Sequence, residues 1–126
     1  MKKISVVLPV LAPTPFLRAM TEFCIQTLKE HADNPFDLIL VEAEGFYFKP
    51  TLLRQDALQP TLFLIDKYLY FNPKIGGVRE INAGIRAAET EFVVTGGNDV
   101  IVPPHWDTEL LRCFDESAHL REVCDL

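Results

Sequence analysis

The stretch Lys74–Asp99, KIGGVREINAGIRAAETEFVVTGGND, decides the fold. Val78, Ile81, Ile85 and Ala88 recur at helical spacing, which puts them on one face of a helix opened by Gly76 and Gly77. The two glycines remove side chains where backbone can approach a ligand. A helix N-terminus offers free N–H groups and the positive end of its dipole to an anion such as a phosphate. Lys74 and Arg79 lie beside it in the sequence. Phe92-Val93-Val94-Thr95 is short and β-branched, the composition of a buried strand. Gly96-Gly97-Asn98-Asp99 follows at that strand's carboxyl end, where ligands bind in open α/β sheets. The plainer reading of the same residues is a helix–strand unit with a glycine turn at each end.

At 126 residues, 48% hydrophobic and 24% charged, the chain fits one globular domain with a core of its own. Its 12 basic and 18 acidic residues give a net charge of −6, against the basic footprint that a nucleic-acid partner requires. A local basic pocket for phosphates remains compatible with that balance. No apolar run reaches the length of a membrane span. Met1-Lys2-Lys3 has the charge of an export signal, but Ile4–Leu11 is short and carries Pro9, so it reads as a first strand and the chain as cytoplasmic. Cys24, Cys113 and Cys124 are odd in number and lack CxxC spacing, so neither a disulfide framework nor a zinc knuckle is indicated. Cys113, His119 and Cys124 make a poor metal set, without an evident fourth ligand.

Outward from the central stretch, the pattern alternates. Ile4–Val10 reads as a buried strand ending near Pro9, and Leu11–Pro15 as the loop at its carboxyl end. Thr14 or Pro15 opens a helix to about His31, with Phe16, Met20, Phe23, Cys24, Thr27 and Leu28 as its inner stripe, and Asp33-Asn34-Pro35 stops it. Phe36–Val41 reads as a second strand with Glu42 and Glu44 at its tip. An acid there either faces a ribose or base or decorates a solvated loop. Thr51–Leu58 reads as a short helix and Lys67–Phe71 as a third strand, whose tyrosines suit packing better than base stacking. After Val100–Val102, Pro103 and Pro104 break the chain into a last helix from about Pro104 to Val123. Trp106 packs it on the sheet, His105 reads as structural, and Asp107, Glu109, Asp115 and Glu116 read as a solvated face. The sum is an α/β fold: an open, mostly parallel sheet with helices on both faces, Rossmann-like. No GxGxxG follows the first strand, no P-loop is present, and no Gly-x-Ser-x-Gly elbow supplies a hydrolase nucleophile.

Four segments in order carry a resemblance. Ile4–Val10, ending at Pro9-Val10; Leu38–Glu42; Lys74–Ile85 with Gly76, Arg79, Asn82 and Gly84; and Asn98-Asp99-Val100 followed by Val102-Pro103-Pro104-His105-Trp106 together resemble the N-terminal, nucleotide-binding half of the family-2 glycosyltransferases, which have the GT-A fold. The resemblance implies a nucleotide-diphosphate-sugar site and a divalent metal, Mn²⁺ or Mg²⁺. It assigns Pro9, Val10 and Leu11 to the nucleotide loop, Glu42 to the nucleoside, Lys74, Gly76 and Arg79 to the phosphates, and Asn98 and Asp99 to the metal-binding region. Two departures stand out. Gly97 occupies the place of the first acid of the family's DxD, leaving Asp99 as the metal carboxylate. The chain also stops before the half that would bring an acceptor site and a catalytic base. Three outcomes follow: an inverting glycosyltransferase with an unknown acceptor, a non-catalytic sugar-nucleotide-binding relative, or a homo-oligomer in which another subunit completes the site.

Overall fold

The computed structural model describes residues 2–10, 14–43 and 64–124, with side chains as far as residue 116. Leu11, Glu44 and the helix expected over Thr51–Leu58 lie outside the described residues. Four strands, β1 (Ile4–Val10), β2 (Asp37–Ala43), β3 (Lys67–Phe71) and β4 (Phe92–Thr95), form a single sheet in the order β3-β2-β1-β4. Every pairing is parallel: Val6 lies opposite Leu38 and Val94, and Val41 opposite Leu69. The expected α/β class is therefore correct. With β1 central, the order reverses between β1 and β4, and this reversal is the switch point at which such sheets bind ligands.

Three helices complete the described fold: α1 (Pro15–His31), α2 (Gly77–Ala87) and α3 (Trp106–Cys124). Strand alternation divides the core into two layers. Val6, Leu8, Val10, Leu38 and Leu40 pack with Cys24, Ile25 and Leu28 of α1 and Trp106 of α3 on one face. Val7, Ile39 and Val41 pack on the other, where α2 lies. The Trp106 indole N–H donates to Leu28 O at 3.0 Å, and its ring meets Phe36 edge-on with centroids 5.1 Å apart. These contacts fix α3 to α1 and to the entry of β2, and Trp106 shares the core layer of the sheet, as the sequence indicates.

Helix registers differ from expectation. On α1, Thr14 caps as expected, accepting from Leu17 N at 3.2 Å, with Pro15 in the first turn. Cys24, Thr27 and Leu28 are buried as expected and Thr21 and Ile25 join them, but Phe16 and Phe23 face outward at 71% and 51% exposure. On α2, Val78 is 74% exposed and Ile85 39%, whereas Glu80 and Gly84 face the sheet. The reason is steric. A Cβ at position 84 would overlap Val7 Cγ1 and lie 3.1 Å from Val41 Cγ2, so α2 approaches the sheet through a glycine too closely for a valine or isoleucine face. Residues 100–102 form no strand, and Val100 and Ile101 are exposed.

Asp107, expected on a solvated face, is 2% exposed. Its carboxylate accepts from Asp33 N and Asn34 N, each at 2.9 Å, and from Asn34 Nδ2 at 3.2 Å, tying the turn after α1 to the start of α3. His105 supports the same junction. Its φ of 65° turns the chain into α3, its N–H donates to His31 O at 2.8 Å, and Nδ1 lies 2.7 Å from Asp33 Oδ1.

Candidate functional site

Because all four strands are parallel, their carboxyl ends share one rim. The described candidates from the sequence reading gather along it: Pro9 and Val10 end β1, Glu42 lies next to last in β2, Lys74, Gly76 and Arg79 lead into α2, and Asn98 and Asp99 follow β4. Val10 and Glu42 are register partners on adjacent strands. Asn98 is drawn toward α1 instead, its Nδ2 donating to Thr21 Oγ1 at 2.8 Å.

Glu42 is not a loop residue. The strand runs two residues beyond the expected Val41, and Glu42 is 1% exposed. The Tyr68 hydroxyl donates to Glu42 Oε1 at 2.6 Å, a short, charge-assisted bond. Burial, and then that bond to a carboxylate, push the Tyr68 phenol far above its usual range, so it stays protonated as a donor. Tyr70 stacks on Tyr68 with centroids 6.5 Å apart, making an aromatic wall beside the carboxylate. Sequence reasoning took these tyrosines for packing alone. Period-two alternation puts both tyrosines on one face of β3, and the pairing of Leu40 with Tyr68 and of Glu42 with Tyr70 makes it the face of Glu42.

The N-terminus of α2 is open. Gly76 adopts φ 103° and ψ 144°, a conformation that only glycine takes without strain, and its carbonyl accepts from Glu80 N at 3.0 Å. Among the described residues no side chain caps this end. The N–H groups of Gly77, Val78 and Arg79 therefore have no intrahelical partner and point from the rim. At the far end of α2, Lys67 Nζ donates to Ala87 O at 2.6 Å and to Glu89 at 2.8 Å, complementing the negative pole of the dipole.

Asp99 is exposed beside a shallow groove of about 250 Å³ whose walls are Phe16, Met20, Phe23 and Ile101. A Cβ at Gly97 would lie 2.8 Å from Asp99 Oδ1, so the absent side chain makes room for that carboxylate. Among the described residues no group of three His, Cys, Asp or Glu is placed to hold a metal. The donor set therefore fits Mg²⁺ or Mn²⁺ only as an ion whose remaining ligands are diphosphate oxygens and water, a familiar arrangement for Mg²⁺ with substrate phosphates. Burial pushes the Cys24 thiol up, and the charge of Asp99 adds to it against the Val100 backbone, so Cys24 is no ready nucleophile. An apolar cavity of about 350 Å³ beneath Gly96 and Gly97, lined by Val6, Leu8, Leu28 and Trp106, offers a phosphate no partner.

This arrangement defines a glycosyltransferase-like α/β fold with a polar carboxyl rim. Among solved structures, the chain is similar to residues 1–349 of TarS from S. aureus, a glycosyltransferase, with a TM-score of 0.67 at 18% identity. The match covers 90% of this chain and 32% of that one, so the chain spans about a third of the TarS structure. At this identity the likeness establishes the fold. No protein-family model matches the sequence, and no curated protein matches it. No helix among the described residues is long and apolar enough to cross a membrane.

Proposed function

We propose that the carboxyl rim binds a nucleotide-diphosphate sugar with a divalent metal, Mn²⁺ or Mg²⁺, and serves transfer of the sugar to an acceptor with inversion. The observation that carries this reading is the meeting of four separate sequence segments at one rim of a glycosyltransferase-like sheet. Glu42, buried and oriented by Tyr68, is a fixed acceptor for the nucleoside, with Val10 beside it on β1. Lys74, Arg79 and the open N–H groups of α2 take the phosphates. Asp99 holds the metal, which supplies charge neutralisation for the leaving diphosphate.

In the transfer itself, an acceptor hydroxyl oxygen attacks the anomeric carbon from the face opposite the diphosphate. The bond from that carbon to the phosphate oxygen breaks as a base takes the hydroxyl proton. On this reading Lys74, Arg79, the N–H groups of α2 and Asp99 serve the leaving-group half of this chemistry. Gly97 in place of a first acid favours a second reading: a relative that binds the donor without catalysing transfer.

Thermal-shift titration with UDP, GDP and their sugar conjugates, with and without Mn²⁺, tests the donor site. Ligand at a hundred times its Kd stabilises the fold by about 2.7 kcal/mol. A metal-dependent shift lost in Asp99→Ala supports the reading; no shift with any nucleotide removes it.

A further inference from the structure

Glu80 is a residue that the sequence pattern passes over. It lies one turn before Gly84 on the inward face of α2 and is 8% exposed. Its Oε1 is buried and has no hydrogen-bond partner among the described residues. A buried carboxylate oxygen left unpaired is costly, and nearly all such groups in native proteins are satisfied. Its direction follows from helix geometry. Gly84 meets Val7 and Val41, so Glu80, one turn nearer the N-terminus of α2, lies closer to the carboxyl rim, and its Cα–Cβ bond tilts further toward it.

The helix dipole alone does not account for it. An acid in the first turn gains that stabilisation equally well on the solvent side, with both oxygens hydrated. A phosphate is the wrong partner for Glu80, since like charges would repel. A metal held by Glu80 lacks further protein ligands among the described residues. A hydroxyl donor meets neither objection.

We propose that Glu80 accepts a hydrogen bond from a hydroxyl of the donor substrate, on its ribose or its sugar, and so selects a polyol ligand at the rim. This rests on the nucleotide-sugar reading and deepens it. Glu42 and Glu80 then grip the ligand from opposite faces of the sheet. Glu42 lies on the layer of Leu40 and Tyr68, and Glu80 on the opposite face, which α2 covers. The phosphates between them take the N–H groups of Gly77–Arg79.

The test uses Glu80→Gln and Glu80→Met, measured by melting without ligand and by calorimetric titration with UDP, UDP-glucose, GDP and GDP-mannose in Mn²⁺. A ligand-facing, unpaired carboxylate predicts that Glu80→Met melts at the same temperature as the wild type or higher, because an unsatisfied charge has been removed. The same variant binds roughly ten- to a hundredfold more weakly, the worth of a hydrogen bond to a charged group. Loss with the diphosphates as well as the sugar conjugates assigns the ribose hydroxyl; loss with the conjugates alone assigns the sugar. A lower melting temperature of both variants without ligand, or unchanged affinity against a wild type that binds, overturns the assignment of Glu80 alone. Absence of binding by the wild type overturns it together with the nucleotide-sugar reading.

Discussion

Gly84→Ala probes the contact that sets the height of α2 above the sheet. In an exposed helix, replacing glycine by alanine stabilises by about 1 kcal/mol. Here the added Cβ overlaps Val7 Cγ1 and comes within 3.1 Å of Val41 Cγ2. Both partners are stiff β-branched side chains that are almost fully buried, at 0% and 1% exposure. Restoring ordinary carbon contact at about 3.5–4.0 Å requires α2 to move out by roughly 1 Å. Overpacking of this kind costs about 1–3 kcal/mol, and an overlap with a fully buried valine belongs at the upper end. After the helix-propensity gain, the net loss is about 1–2 kcal/mol, or roughly 4–8 °C in Tm for a chain of this size. Urea unfolding followed by circular dichroism reads it as a lower midpoint at unchanged slope. The double variant Gly84→Ala with Val7→Ala recovers part of the Gly84→Ala loss relative to Val7→Ala alone, because the two sites share one volume. Gly77→Ala, with nothing within 4 Å of its added Cβ, is neutral or slightly stabilising. A Gly84→Ala protein more stable than the wild type would falsify the close-approach account of α2.

Other expectations follow from the same geometry. Tyr68→Phe removes the donor to buried Glu42 and lowers stability by about 1.5–3 kcal/mol in urea unfolding; an unchanged midpoint would show that the carboxylate is satisfied without it. Asp107→Ala removes the buried carboxylate that accepts from three N–H donors and costs about 3 kcal/mol, with Asp107→Asn losing less. A loss within 0.5 kcal/mol would contradict the junction as described. The His105–Asp33 pair gives a pH signature. Asp33 raises the His105 pKa above its ordinary 6.5, so the pair's contribution is full below that value and fades as pH rises through the folded-state value. Asp33, held down by the Thr108 hydroxyl and then by His105, contributes above its ordinary 3.8 and fades as pH falls through its lowered value. Melting temperature against pH should therefore fall more steeply above pH 6.5 in the wild type than in His105→Gln, and parallel profiles would refute it.

Much of the fold was legible because its strands are short apolar runs with clean punctuation. Ile4–Val10, Lys67–Phe71 and Phe92–Thr95 were readable to the residue, and Thr14-Pro15 marked the start of α1. Helix faces were less legible, because periodicity reports where apolar residues recur and not which neighbour they meet. On α2 the regular spacing of Val78 and Ile85 outweighed Gly84, although a close helix–strand contact needs the smallest residue. On α1 the large Phe16 and Phe23 drew the stripe toward solvent. Charged residues misled in the same way. Asp107 and Glu80 look like solvated acids in a helix, and only the fold shows one capping a distant turn and the other buried under the rim. Glu42 is a candidate from its position after an apolar strand. Its partner Tyr68 required the register of β2 against β3, which no local pattern contains.

The most direct measurement of the proposed donor site is a map of backbone amide shifts while UDP-glucose or GDP-mannose is added in the presence of Mg²⁺. The account predicts saturable changes at Val10, Glu42, Gly77–Arg79, Asn98 and Asp99, all on the carboxyl rim, with the amino ends of the strands unmoved. Changes centred instead on the apolar cavity around Leu28 and Trp106, or none at millimolar ligand, would contradict it.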